Sequence, residues 1–261
     1  WALKAKASKD PDLPSIKEAL MGPHKDEFWT AMEAEIKVLE SMGTWEVVPR
    51  SSLPEGAKVI PSTWAFRIKR YPDGRLNKFK ARFCVMGNKM EKGVHYFDDA
   101  YSPLVGWPTV RAAMLLSAAH GWQSRQVDFT NAFCQAPQKD LLYVSVPQFY
   151  KPKGCEDGQD VVLLLKRSLY GQVTSPKLFW EHLQKGMHQL GFDQSKSDPC
   201  LFIHKQHKLM VLNYCDDQIW LSPDSKLIET YVDKLKNLGY GLTMDKEGDV
   251  FAFLGIEFKR N

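Results

Sequence analysis

Apolar positions along the chain recur with two periods. Phe28, Met32, Ile36 and Leu39 fall three or four residues apart, which predicts a helix over 26–42 that Gly43 ends. Similar spacing predicts a helix from Pro108 through 110–120, stopped by Gly121. Another is capped by Ser175, opened by Pro176 and runs to about Leu190, with Phe179, Leu183 and Met187 facing a core. A last one covers 225–238 through Leu227, Tyr231, Leu235 and Leu238. Shorter runs read as strands at 44–48, 60–70, 78–86, 141–146, 161–165 and 201–204. Residues 251–258 read as a strand pair or a strand bent at Gly255. Residues 1–25, broken by Pro11, Pro14 and Pro23, read as a loose lead-in, and 87–106 as a loop. The sum is an α+β fold, antiparallel strands with helices packed on one face.

Two stretches carry chemistry. In 209–222, apolar strand-like runs flank Asp216-Asp217, so the acidic pair sits at or beside a hairpin turn. Adjacent carboxylates repel, and keeping both ionised favours a compensating cation. Oxygen donors on a tight turn suit Mg²⁺, although acidic pairs are also ordinary turn residues. The second stretch is a hairpin around Tyr71-Pro-Asp-Gly74. By strand parity, Arg67 and Lys69 share a face, as do Lys78, Lys80 and Arg82 on the partner strand. Such a face can hold a triphosphate or a nucleic-acid backbone, or can simply be solvated. Asp128, between Val127 and Phe129, ends another strand-like run; alone it reads as a cap.

Composition sharpens this. Residues 58–92 hold ten Lys/Arg against two acids, +8 in a chain of net charge +4, so the remainder is acidic by four charges. A basic module beside an acidic body suggests a polyanionic partner met by one part of the molecule. The content, 44% hydrophobic and 25% charged, is that of a globular protein. No run of eighteen apolar residues is present, so no membrane-spanning helix is expected. Five scattered Cys without a CxxC pair argue for reduced thiols in an intracellular setting, and the His pattern gives no zinc motif. A chain beginning at Trp1 is expected to be cut from something longer.

Several motifs, in order, resemble the reverse transcriptase of copia-type (Pseudoviridae) LTR retrotransposons. They include Gly43-Thr-Trp-Glu-Val-Val48, Lys80-Ala-Arg82, Tyr101-Ser-Pro-Leu104 and Gln126-Val-Asp-Phe-Thr-Asn-Ala-Phe133. They continue with Ser168-Leu-Tyr-Gly171, Ser197-Asp-Pro-Cys-Leu-Phe202, Tyr214-Cys-Asp-Asp217 and Phe253-Leu-Gly-Ile256. The resemblance implies a right-hand polymerase reduced to fingers (1–103 and 136–174) and palm (104–135 and 175–261). The antiparallel palm sheet is backed by helices, and no thumb follows the primer-grip-like 253–256.

It further implies RNA-directed DNA polymerisation, two-metal nucleotidyl transfer that extends a primer 3′-hydroxyl with dNTPs on an RNA or DNA template. Asp128 and Asp216 match the metal-bridging carboxylates and Asp217 the third, holding two Mg²⁺ or alternatively Mn²⁺. Arg82 matches the triphosphate-contacting arginine, and Lys69, or else Arg67, the lysine beside it. Phe133 matches the steric gate against a 2′-hydroxyl. Tyr170 and Gly171 match the turn supporting nucleotide and template, Tyr214 and Cys215 the residues before the acidic pair. Lys246 matches a proton donor for pyrophosphate, and Lys78, Lys80 and Gly255 nucleic-acid contacts. Expected neighbours in a parent polyprotein are integrase upstream and RNase H downstream, with a cytoplasmic location inside virus-like particles.

Cys215 stands where the family usually has Val, and Gln172-Val-Thr174 replaces an apolar residue, Lys and Gln. Two other classes remain open: a non-catalytic, host-adopted nucleic-acid-binding protein, which needs only the basic hairpin, and an RNA polymerase, which Phe133 argues against.

Overall fold

The computed structural model describes residues 10–71, 73–156, 158–239, 242–248, 252–253 and 256–257. In chain order the elements begin with α1 (Ile16–Met21), α2 (Lys25–Ser41), β1 (Trp45–Pro49), β2 (Val59–Ile60), β3 (Ser62–Arg70) and β4 (Leu76–Val85). Then come α3 (Trp107–Ala119), β5 (Gln123–Phe129), α4 (Ala132–Gln135), β6 (Tyr143–Ser145), β7 (Val161–Leu165) and α5 (Ser175–Gln189). The remainder are β8 (Phe192–Gln194), β9 (Leu201–His204), β10 (Met210–Tyr214), β11 (Asp217–Ser222), α6 (Ser225–Lys236), β12 (Met244–Gly248), β13 (Ala252–Phe253) and β14 (Ile256–Glu257). No helix among the described residues is long and apolar enough to cross a membrane.

The chain forms two compact units, and the first is Trp1–Asp98 with Gln138–Val173. It holds a four-stranded sheet in the order β1-β7-β6-β2 and a separate β3–β4 hairpin. The β2–β6 pair is parallel and the others are antiparallel, so the strands are not all of the expected kind. The run over 60–70 splits at Pro61 into β2 and β3, because proline brings no N–H to a ladder. Trp64, Phe66 and Ile68 of β3 lie opposite Phe83, Ala81 and Phe79 of β4. That apolar face receives α2, whose Phe28 meets Phe66 and Phe79 edge-on at ring separations of 5.2 and 5.0 Å. The predicted stripe of Phe28, Met32, Ile36 and Leu39 is buried.

The lead-in is more ordered than its prolines suggest. Ser15 and Glu18 form a reciprocal capping box, in which the Ser15 backbone N–H donates to Glu18 Oε2 at 2.8 Å, and this starts α1. Asp12 ties the segment to β3: its carbonyl accepts the Ile68 N–H at 2.8 Å, and Arg70 Nε reaches both its carboxylate oxygens at 3.0 Å.

The second unit is Asp99–Pro137 with Thr174–Asn261. Its centre is a six-stranded antiparallel sheet in the order β12-β5-β11-β10-β9-β8. Alternate strand residues Val127, Phe129, Val211, Trp220, Phe202 and Phe192 pack on Leu178, Phe179, Leu183 and Met187 of α5 and on Ile228, Tyr231, Val232 and Leu235 of α6. The intervening residues Met210, Leu212, Ile219 and Leu221 pack with Val110, Ala113 and Met114 of α3. The helices therefore do not all lie on one face. Both sets of strand residues are apolar, so each face needs a cover. The cap of α5 also differs from expectation. Thr174 is the N-cap, and Ser175 with Pro176 forms the first turn.

Trp220 is fully buried where α5 and α6 meet the sheet. Trp220→Ala should cost about 3–5 kcal/mol in urea denaturation of the chain. Ile203→Ala, at a side chain 41% exposed on β9 of the same sheet, should stay within about 0.5 kcal/mol.

Candidate active site

The acidic residues come together through strand register. β10 and β11 form a hairpin in which Tyr214 faces Asp217, leaving Cys215-Asp216 as a two-residue turn. Two-residue hairpin turns call for positive φ, and Cys215 adopts φ 51°. A side chain in that left-handed region costs about 1–2 kcal/mol relative to the ordinary conformation. β11 also pairs with β5, and Asp217 is the direct partner of Asp128.

The Phe129 N–H donates to the Asp216 carbonyl at 3.0 Å. That bond makes Asp128/Asp217 a non-hydrogen-bonded pair, the closer kind, with Cα atoms about 4.5 Å apart and side chains on the same face. Like charges placed directly opposite are destabilising unless compensated. Asp128 and Asp217 are half-buried and Asp216 is exposed on the turn. Asp128 is thus a strand residue rather than a helix cap.

β12 joins the other edge of β5, and Lys246 is the register partner of Asp128 after a bulge at Met244. The Lys246 side chain and all of Gly255 lie outside the described residues. Among the described residues, no three His, Cys, Asp or Glu side chains converge as a ready-made metal cage. Burial, and then Asp216 and Asp217, push the Cys215 thiol above the usual cysteine range, so it stays protonated and offers no thiolate ligand.

Phe133, Asn213 and Cys215 line one small cavity of about 10 Å³ with Ser102, Pro103 and Trp180. Phe133 also meets Phe179 edge-on at 6.3 Å, so it contributes to the core as well as to the cavity wall. Tyr214 packs against the α3-side core.

The fingers candidates belong to the first unit. Arg67 pairs with Lys80 and Lys69 with Lys78, while Arg82 pairs with Ala65. All five cations therefore share the face opposite the one covered by α2. Lys80 is pushed down to about 8 by burial, then by Arg82 and Lys69. The Arg82 guanidinium lies 4.4 Å from the centre of the Tyr170 ring, a cation–π contact. The Tyr170 carbonyl accepts the Val85 N–H at 2.8 Å. Gly171 has φ +80°, and a Cβ there would collide with the Val85 carbonyl. Only glycine lets this turn press on the end of β4, which fixes Tyr170 beside Arg82. Gln172 folds back: its Oε1 accepts the Leu169 N–H at 3.0 Å, and its Nε2 donates to Gln138 Oε1 at 2.7 Å.

Sequence reasoning missed the polar supports. Gln126 Nε2 donates to Asp217 Oδ1 at 3.4 Å. Strand parity with Asp128, two residues on, could have found it. Buried Gln135 donates to the carbonyls of Thr130 and Thr243, and its Oε1 accepts the Thr243 N–H at 3.0 Å. It fastens the turn after Asp128 to the segment that starts β12. Under the hairpin, Trp220 Nε1 donates to Gln218 Oε1 at 3.0 Å, and Gln218 Nε2 donates to Asn213 Oδ1 at 3.2 Å. No local signal marks the Gln135–Thr243 contact, because it arises only when segments far apart in sequence come together.

Residues 42–261 match the family model described as reverse transcriptase (RNA-dependent DNA polymerase). The chain is 28% identical over 257 residues to the "Retrovirus-related Pol polyprotein from transposon TNT 1-94" of Nicotiana tabacum, covering 97% of this chain and 18% of that protein. It is 31% identical over 239 residues to the "Retrovirus-related Pol polyprotein from transposon RE1" of Arabidopsis thaliana, covering 90% and 16%. The RE2 polyprotein of the same plant gives 30%, with 90% and 16% covered. The chain thus spans about a sixth of the length of these relatives.

The strained turn yields a prediction. Cys215→Gly should stabilise the chain by about 1 kcal/mol in urea denaturation, because glycine carries no left-handed penalty. Cys215→Ala, which keeps the Cβ, should show no such gain.

Proposed function

Because the chain belongs to the reverse transcriptase (RNA-dependent DNA polymerase) family, in its copia-type branch, we propose that it extends a primer 3′-hydroxyl with deoxynucleoside triphosphates on RNA and DNA templates. The observation that carries this reading is the opposition of Asp128 and Asp217 in adjacent strands, with Asp216 on the adjoining turn. Phosphoryl transfer asks for alignment and charge neutralisation more than for covalent chemistry. When bound, divalent cations supply Lewis acidity to the attacking hydroxyl and the leaving pyrophosphate.

The donor set fits Mg²⁺ or Mn²⁺. It consists of hard carboxylate oxygens beside a thiol that stays protonated. Mg²⁺ typically takes one or two carboxylates and completes its shell with water and substrate phosphate, so a preformed protein cage is not required. Asp128, Asp216 and Asp217 would hold the cations. Arg82 and Lys69 receive the triphosphate charge, and Lys78 and Lys80 favour a nucleic-acid backbone. Phe133 walls the sugar and excludes a 2′-hydroxyl. Lys246, the register partner of Asp128, is the proposed proton donor to pyrophosphate. In the parent polyprotein, integrase and RNase H regions are the proposed neighbours.

The chain, prepared together with its downstream polyprotein sequence, should extend a primed RNA template in Mg²⁺. Asp128→Asn and Asp216→Asn should each lower extension by more than about 100-fold while leaving salt-sensitive template binding intact. A silent wild type that still binds template would favour the non-catalytic nucleic-acid-binding reading.

Phe133→Ala tests the gate in the same assay. Ribonucleotide incorporation should rise relative to deoxyribonucleotide incorporation, and an unchanged ratio would remove Phe133 from that role.

A further inference from the structure

Phe133 sits in the middle of α4, a single helical turn entered through Asn131 at φ 48°. So short a helix does not hold itself, because its first turn fixes several dihedrals for one hydrogen bond. The Cys134 N–H donates to the Asn131 carbonyl at 2.8 Å, and the Ala136 N–H to the Phe133 carbonyl at 3.2 Å. Beside the Phe133 ring stand Phe179, edge-on at 6.3 Å, and the cavity of about 10 Å³. The turn that carries the ring is held mainly from outside itself.

Gln135, the last residue of α4, supplies that hold. It is fully buried, and both ends of its amide are engaged. Nε2 donates to the Thr130 carbonyl, to the Thr243 carbonyl at 2.9 Å and to Thr243 Oγ1 at 3.1 Å. Oε1 accepts the Thr243 N–H at 3.0 Å. The bond to Thr130 closes residues 130–135 on themselves, with Phe133 inside the loop. The bonds to Thr243 fasten that loop to the residue before β12, whose carbonyl also accepts the Thr130 N–H at 3.0 Å. A buried amide is costly unless its polar atoms are paired, and once paired it rigidifies. Packing alone would be served by an apolar side chain of the same length. What the amide adds is a fixed spacing between three backbone points. We infer that Gln135 is a positioning residue that sets sugar selectivity, clamping residues 130–135 so that the Phe133 ring stays against the 2′ position of the incoming nucleotide. This rests on the reading of Phe133 as the sugar gate. Gln135 itself does not touch the nucleotide. A ring free to back away by the width of a hydroxyl no longer excludes one.

Sugar selectivity is the ratio of kcat/KM for a deoxynucleotide to that for the matching ribonucleotide. The ratio does not depend on how much of the enzyme is folded, so it separates positioning from support of the fold. Gln135→Met keeps the length of the side chain and removes its hydrogen bonds. In single-nucleotide extension of a primed template, by the chain with its downstream polyprotein sequence, it should lower the ratio about tenfold, through better use of the ribonucleotide. A residue that only supports the fold lowers kcat for both nucleotides alike and leaves both KM values and the ratio unchanged. Gln135→Asn, which keeps an amide on an arm one methylene shorter, should lower the ratio as well. It carries the comparison if Gln135→Met does not fold.

An unchanged ratio, or loss of both activities in a folded variant, overturns the inference. Phe133→Ala separates it from the reading beneath it. If Phe133→Ala lowers the ratio while the Gln135 variants do not, Gln135 alone loses its role. If the wild type extends no primer, or Phe133→Ala leaves the ratio unchanged, the gate reading fails and the positioning role falls with it. The double variant Phe133→Ala/Gln135→Met should be as selective as Phe133→Ala alone, because no ring remains to be held. A further fall in the double variant would show Gln135 acting independently of Phe133 and would equally overturn the inference.

Discussion

Everything proposed for the second unit depends on one unfavourable arrangement, two aspartates held directly opposite each other in adjacent strands. The close, non-hydrogen-bonded register of Asp128 and Asp217 is fixed by the Phe129 N–H on the Asp216 carbonyl. A slip of one residue would turn one carboxylate to the α5/α6 face and bury it in the core. Trp220, Phe129 and Val127 oppose such a slip, because their side chains fill that core in the observed register and no other. The hydrophobic packing therefore specifies a charge placement that electrostatics alone would avoid.

The supports around the pair follow the same logic. Cys215 stands at positive φ, so the turn is tight and Asp216 is presented outward. Asn213, Gln218 and the Trp220 indole form a buried polar chain beneath the hairpin, and Gln135 ties the turn beyond Asp128 to the entry of β12. Buried networks of this kind are expensive unless fully paired, and once paired they rigidify. Backbone strain at Cys215 and buried polarity therefore meet around the opposed aspartates.

Much of this was legible in the sequence, for identifiable reasons. Amphipathic stripes such as Phe28-Met32-Ile36-Leu39 and the Pro-Asp-Gly turn signal act locally, so the helices and the cationic hairpin were readable. The side-chain parity of Arg67, Lys69, Lys78, Lys80 and Arg82 followed from strand geometry alone. What was not legible depended on partners far away in sequence. β12 is Met-Asp-Lys-Glu-Gly, without alternating apolar residues, and becomes a strand because β5 offers it an edge. α3 carries apolar residues around much of its circumference, Leu115 and Leu116 among its exposed ones, so its pattern could not say which face of the sheet it covers. α1 had a signal, Ser15-x-x-Glu18, which the flanking prolines obscured. The family resemblance, rather than spacing, singled out Asp128, since a lone aspartate after a strand has no chemistry until its partner strand is known.

The two units carry opposite electrostatic deficits. In the second, two carboxylates face each other across adjacent strands; in the first, five cations share one side of a hairpin. Asn at position 128 or 217 would remove the like-charge opposition of that pair with little change in side-chain volume.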